Sequence, residues 1–342
     1  MKKITSIILV LSFVLLFSFS LQAEEAGNYG LILATGGLGD QSFNDLTYEG
    51  MKQAEEELGI TFDYVEPAEI SDFEILQRDM ASSEEYDLIV AVGFDQADAL
   101  SFVAEEYPDQ KFAIIDSVVD LPNVASFVSK EHEGSFLVGA LTGLLKQEFD
   151  HEFLGDENVT GVIGGMDTPL IRKFVAGYMA GVKYVNPEME VLTDYVGGWS
   201  DPTTAREIAN TMNNRGADII YHAAGGSGLG MFEAAEEHDF MAIGVNSNQN
   251  HIKPDHIVAS MLKRVDTATF EAVKSVEDDE FESGEHPLGV EEEGVGYTLE
   301  ESNIEVPDEI ISEVEDLKEK IKSGELVIPD EIDKVEEFLS EN

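Results

Sequence analysis

Short apolar runs rich in β-branched and aromatic residues alternate along this chain with segments whose apolar residues recur every three or four positions, and the alternation runs through two successive series. The first series predicts strands over 29–34, 61–65, 87–92, 111–115 and 123–127, with helices over 43–58, 70–83, 95–106 and 131–146. The second predicts strands over 160–164, 190–196, 217–222, 240–245 and 257–261, with helices over 169–184, 202–214, 228–237 and 265–277. Strand and helix in strict alternation build parallel sheets with helical crossovers. The expected fold class is therefore α/β, two successive halves that are each a doubly wound parallel sheet. Polar loops at 150–158 and 283–287 punctuate the chain, and Pro307-Asp308-Glu309 opens a further structural helix. The stretch 329–342 is expected as a C-terminal tail, docked or frayed.

Seventy acidic residues face twenty basic ones, a formal charge of −50, yet 43% of residues are hydrophobic and they fall in periodic blocks. The chain can bury a large core, so the acid is not the signature of disorder. It excludes nucleic acid and anionic membrane surfaces as partners, because no basic stripe exists to neutralise phosphates. A solvated acidic shell, stable where salt screens self-repulsion, accounts for an excess this large. Lys2 and Lys3, an apolar stretch from Ile7 to Phe19 and a small residue, Ala23, before Glu24-Glu25 read as a signal peptide over 1–23. The expected location is the periplasm or the exterior of the cell. There is no cysteine for a disulfide or a lipid anchor.

Between the first strand and its helix lies Thr35-Gly36-Gly37-Leu38-Gly39-Asp40-Gln41-Ser42-Phe43-Asn44. Its glycines allow close approach of backbone to a ligand, and Asp40, Ser42 and Asn44 stand at a helix N-terminus. Gly37-Leu38-Gly39 begins a dinucleotide fingerprint, but Ser42 occupies the third glycine position, which argues against a nicotinamide site. No nucleophile elbow, P-loop or H-E-x-x-H is present, and the seven histidines lack metal-ligand spacing. No cofactor and no metal are expected. Instead, polar or aromatic residues mark predicted strand ends in both halves: Asp116, Trp199, the Gly225-Gly226-Ser227-Gly228 turn, Asn246 and Lys263. In open α/β sheets ligands bind outside the carboxyl ends of the strands. Together with Phe43 and Asn44 these residues could line one cleft.

The loop at 36–44, Phe112-Ala113-Ile114-Ile115-Asp116, Glu133-Gly134-Ser135-Phe136, Phe174-Val175-Ala176-Gly177-Tyr178, Gly225-Gly226-Ser227-Gly228 and Met261-Leu262-Lys263-Arg264-Val265-Asp266 occur in one collinear order. That series resembles the basic membrane protein family of ABC-transporter substrate-binding lipoproteins, from about residue 29 to 300. The resemblance implies a type I periplasmic-binding-protein fold, two Rossmann-like lobes joined by three crossings. Lobe 1 is expected at 28–128 and 258–284, lobe 2 at 129–257 and 285–328. It further implies a monomeric carrier that binds purine nucleosides and delivers them to an ABC permease, with no enzymatic activity. Carried over by position, Phe43 and Trp199 would stack on the base and Asn44 and Asp116 would bond its edge. Gly225, Gly226, Gly228, Asn246 and Lys263 would hold the ribose. This chain departs from the family pattern at Ala34 and Asn246, where Asp is frequent, and in lacking the lipoprotein cysteine. A receptor for another small solute, a ligand sensor and a secreted nucleoside hydrolase are the alternatives, the last lacking a D-x-D-x-x-x-D-D cluster near the first strand.

The acidic shell makes a prediction of its own. Thermal melting followed from low to molar salt should show the midpoint rising with ionic strength as self-repulsion is screened. A flat profile would contradict this reading of the charge.

Overall fold

The computed structural model describes residues 26–342, so the expected leader over 1–23 lies outside the described residues. The first five strands are β1 (Asn28–Ile32), β2 (Thr61–Val65), β3 (Leu88–Val92), β4 (Phe112–Ile115) and β5 (Val124–Ser129). They alternate with α1 (Phe43–Leu58), α2 (Phe73–Ser83) and α3 (Ala97–Glu106). The chain then runs through α4 (Glu131–Glu148), β6 (Val159–Gly164), α5 (Pro169–Val185), β7 (Glu190–Tyr195), α6 (Pro202–Asn213), β8 (Ala217–Ala223), α7 (Leu229–His238), β9 (Met241–Asn246) and β10 (Ile257–Lys263). It closes with α8 (Val265–Glu277), β11 (Gly284–Leu288), β12 (Val295–Thr298), α9 (Asp308–Lys322) and α10 (Val335–Glu341).

Two six-stranded sheets result, ordered β11-β5-β4-β3-β1-β2 and β12-β10-β9-β8-β6-β7. The first is parallel throughout, and in the second only β12 runs antiparallel, against β10. Central strands such as β3 and β8 are buried along their whole length, as strands covered by helices on both faces must be. The order of each sheet reverses beside its first strand, so loops on either side of that point diverge and leave a crevice at the carboxyl ends.

The third passage of the chain differs from expectation. The strand at 257–263 does not return to the first lobe, because its apolar residues pair with β9 and complete the second sheet. Return to the first lobe begins at Arg264, after which Val265, Ala268, Ala272 and Val273 of α8 join the core beneath β1 and α1. The segment at 283–287, expected as a break, lies largely within β11, which pairs with β5 in the first lobe. Its sequence hid it, since Pro287 lacks an N–H and is tolerated only because β11 is an edge strand. The crossings thus fall at Lys130, Arg264 and 289–294. They are tied together where the Lys130 N–H donates to the Leu288 carbonyl at 2.9 Å and the Arg264 N–H to the Gly294 carbonyl at 2.9 Å. The tail at 329–342 is docked, with Val335 and Phe338 of α10 buried and the Phe338 ring edge-on to Phe136.

Helices α4 and α5 pack backbone to backbone through glycine. A Cβ at Gly177 would lie 2.1 Å from the His132 carbonyl oxygen, one at Gly181 would lie 2.1 Å from that of Phe136, and one at Gly139 would lie 2.3 Å from that of Tyr178. No side-chain adjustment can relieve a clash with backbone. Gly181→Ala should therefore destabilise the protein by about 1–3 kcal/mol or more, the range for overpacked cores, as read by denaturant unfolding. A variant as stable as the parent would show that the two helices can separate at little cost.

Candidate functional site

The β1–α1 loop is organised around one carboxylate. Asp40 is buried, and its oxygens accept the N–H groups of Ser42 at 2.8 Å and Asn44 at 2.9 Å. Burial pushes the Asp40 carboxyl up, and the N–H groups of Asn44 and Ser42 oppose that shift. Asn44 is largely committed as well, since its carbonyl accepts the Ala34 N–H at 2.9 Å and its amide donates to Asp40 at 3.2 Å. Of the four hydrogen bonds its side chain can make, one N–H and one acceptor lone pair are left for a ligand. The loop places Phe43 and Asn44 on the wall of a cavity between the lobes.

The cavity floor is a buried charge cluster. Lys263, at the end of β10, donates to Asp116 at 2.6 Å and to Glu131 at 3.0 Å, and none of the three side chains is more than 5% exposed. Its ammonium also lies 5.4 Å from the ring centres of both Phe43 and Phe174, in cation–π range of each. Burial works against that charge, but the attraction of Asp116 and Glu131 outweighs it and keeps Lys263 protonated. At Asp116 burial raises the carboxyl, Lys263 opposes the rise and Glu131 adds to it. Asp116 Oδ1 is buried and has no hydrogen-bond partner. Asp116 and Lys263, expected at opposite ends of a ligand, are thus one polar unit.

The second lobe supplies the opposite wall. Trp199 packs so close to Gly165 that a Cβ there would lie 2.3 Å from the indole, and its ring meets Phe94 edge-on at 6.5 Å. Gly225, Gly226 and Asn246 also face the cavity. Asn246 Oδ1, like Asp116 Oδ1, is buried without a partner. The mouth is bridged by hydrogen bonds from the second lobe to the first: Asn246 to Ser42 at 2.8 Å, and Ser247 and Gln249 to the Gln41 carbonyl at 2.8 and 3.0 Å.

Eight of the nine residues expected at the site therefore line one cavity formed by both lobes. Gly228 is the exception. A Cβ there would lie 2.0 Å from the His222 ring, so this glycine makes room for a buried histidine. Three further contributors escaped the sequence reading. Phe94 follows the end of β3 closely and obeys the same strand-end rule that singles out Asp116. Phe174 sits at core spacing within α5, where nothing separates a cavity wall from a packing residue. Glu131 opens α4 and is unremarkable in a chain with seventy acids.

The family model described as ABC transporter substrate-binding protein, PnrA-like, matches residues 29–332. The chain belongs to this family. An uncharacterized lipoprotein of Pyrococcus horikoshii is 33% identical over 91% of this chain and 86% of its own length, and basic membrane protein A of Borreliella burgdorferi is 30% identical over 91% and 90%. The crystal structure of an ABC transporter solute-binding protein from Aeropyrum pernix superposes with a TM-score of 0.83 at 31% identity, covering 92% of this chain and 97% of that one. This chain is thus a solute-binding protein of an ABC transporter with the two-lobe periplasmic-binding-protein fold. Relatives described as lipoproteins notwithstanding, its sequence contains no cysteine. Among the described residues no helix is long and apolar enough to cross a membrane.

Within this family fold, His222 and His132 serve structure. His222 is fully buried against Gly228, with one ring nitrogen 3.1 Å from the Gln249 side-chain oxygen, and burial pushes its pKa down to about 4. Burial likewise lowers His132 to about 4. Each favours the folded state fully above its ordinary value of 6.5, and that contribution fades as pH falls toward 4. Imidazole resonances followed by NMR should show both rings neutral at pH 5.5, a value chosen between about 4 and the reference of about 6.5. Titration of either near its ordinary value would mean that water reaches the ring.

Proposed function

We propose that this solute-binding protein works outside the cytoplasm and takes unphosphorylated purine nucleosides, which it delivers unchanged to the membrane permease of its transporter. The observation that carries the reading is a pair of buried, unpartnered acceptors, Asp116 Oδ1 and Asn246 Oδ1, in a cavity walled by Phe43, Phe94, Phe174 and Trp199. Such a cavity fits a flat aromatic body bearing hydrogen-bond donors at one end. The family resemblance supports the same ligand class.

The roles of the residues follow from their chemistry. A hydroxyl both donates and accepts, so a carboxylate oxygen beside an ammonium with a proton to spare is a complementary site for one. Asp116 and Lys263 together therefore hold a sugar hydroxyl, and Asp116 is moved from the base edge to the sugar. Asn246 and the Gly225-Gly226 turn belong to the same sugar site. Phe43 and Trp199 stack on the base, with Phe94 and Phe174 completing the apolar wall. Lys263 is the one cation on the described cavity wall, which also carries Asp40, Asp95 and Asp116. A ligand phosphate would meet uncompensated negative charge, which is why the nucleoside and not the nucleotide is proposed.

Calorimetry should give one-to-one binding of guanosine, inosine or adenosine, with the ligand recovered intact. Trp199→Ala should weaken all purines alike by about 1–3 kcal/mol, since stacking tolerates any base. Asp116→Ala leaves Lys263 paired with Glu131 and removes a charged acceptor. It should weaken guanosine and adenosine equally, by roughly 1.5–3 kcal/mol. Base dependence in that loss would return Asp116 to the base edge, and heat with sugars but not nucleosides would replace the ligand class. Free base released at steady turnover would indicate a hydrolase.

A further inference from the structure

Asn246 ends β9 with φ at +66°, a left-handed conformation that Asn tolerates better than most residues and that persists only where the surroundings impose it. Its side chain is not free to choose which end faces the cavity. The amide nitrogen donates to Ser42 Oγ at 2.8 Å, and Ser42 belongs to the other lobe. Ser42 is fully buried, held by its own N–H on Asp40 at 2.8 Å, and its hydroxyl donates to the Val245 carbonyl at 3.4 Å. A hydroxyl has one proton, so while that proton is on Val245 it accepts from Asn246. Turning the amide over would oblige the hydroxyl to leave Val245 and donate to the amide oxygen instead. The neighbouring Gln249 reinforces the arrangement, accepting the Val245 N–H at 2.8 Å and donating to the Gln41 carbonyl at 3.0 Å.

We propose that Ser42 is a positioning residue that orients the Asn246 amide across the cleft, so that its carbonyl oxygen is presented to a ligand hydroxyl only when the lobes are together. In an open cleft Ser42 is withdrawn and the amide can rotate, leaving either a donor or an acceptor toward the ligand. Recognition of a hydroxyl and closure of the lobes are then one event. An Asp at this position would work differently. A carboxylate cannot donate to Ser42, and would have to draw the hydroxyl proton away from Val245.

The choice of probe rests on the nucleoside reading, and the coupling is tested with Ser42→Ala, Asn246→Ala and the double variant, each checked for an unchanged fold by circular dichroism. Affinities for guanosine, 2′-deoxyguanosine, 3′-deoxyguanosine and guanine are read from Trp199 fluorescence. The parent should prefer guanosine over one of the two deoxy analogues by about tenfold, the worth of one hydrogen bond. In Ser42→Ala that preference should fall below about threefold while guanine affinity is retained, and Ser42→Ala should add nothing in the Asn246→Ala background. An unchanged preference in Ser42→Ala, or losses that multiply in the double variant, would overturn the proposal. Should the parent bind none of the four probes, the nucleoside reading fails by itself, and small-angle scattering then decides the coupling. Ser42→Ala and Asn246→Ala should enlarge the radius of gyration equally, and no enlargement in either would overturn it.

Discussion

The ammonium of Lys263 is the charge on which the cleft depends. It ends β10 one residue before the second crossing, Glu131 lies one residue beyond the first, and Asp116 follows β4 in the first lobe. Three stretches of chain far apart in sequence are therefore brought together at the hinge by one buried cation. Isolated burial of such a charge would be prohibitive, and removing one partner from a buried pair typically costs about 3–5 kcal/mol. With two carboxylates and two aromatic faces around it, Lys263 is compensated from every side that the two lobes supply. Glu131 has no place on the cavity wall, but it leaves Asp116 with an oxygen to offer.

Backbone strain is also present around the cleft. Gln41, Asp116 and Asn246 have φ values of +49°, +73° and +66°, in a region that non-glycine residues rarely adopt. Each stands where a strand or its following loop reaches the cleft. A strand that continued in extended conformation would send its next side chain along the sheet face, whereas a left-handed residue turns the chain sharply and aims the side chain across the crevice. The conformations are held by the surrounding hydrogen bonds, including the Asp116 N–H to the Phe127 carbonyl at 2.9 Å. Backbone energy of roughly 1–3 kcal/mol per residue is stored where ligand groups would converge.

The two devices act at different depths. At the floor, charges near the hinge are within reach of each other through short connections. At the mouth, Ser42, Asn246, Ser247 and Gln249 bridge loops that are joined only by the length of both lobes. Neutral hydrogen bonds of this kind are worth about 0.5–1.5 kcal/mol each, enough to bias closure but weak enough to break for exchange. A carrier needs that balance, because a cleft sealed by several buried ion pairs at its mouth would release its cargo slowly.

The sequence by itself determined the alternation of strand and helix, the two sheets and the strand-end location of the cleft, because hydrophobic period and turn chemistry are local properties. It also singled out Phe43, Asn44, Asp116, Trp199, Gly225, Gly226, Asn246 and Lys263 as a group, through position at strand ends and resemblance to a family. The residue pattern already set β10 in the second series, against the lobe bounds that the family resemblance implied, but only the tertiary structure assigned β11 to the first sheet, since a strand's neighbours depend on which edge is vacant and its own residues do not specify it. Only the structure joined Asp116 to Lys263 across 147 positions and Ser42 to Asn246 across 204, and committed half of the Asn44 side chain to the loop. A side chain's hydrogen-bonding capacity is written in its residue type, but which part of it is already taken is decided by groups that reach it only when two lobes fold and meet.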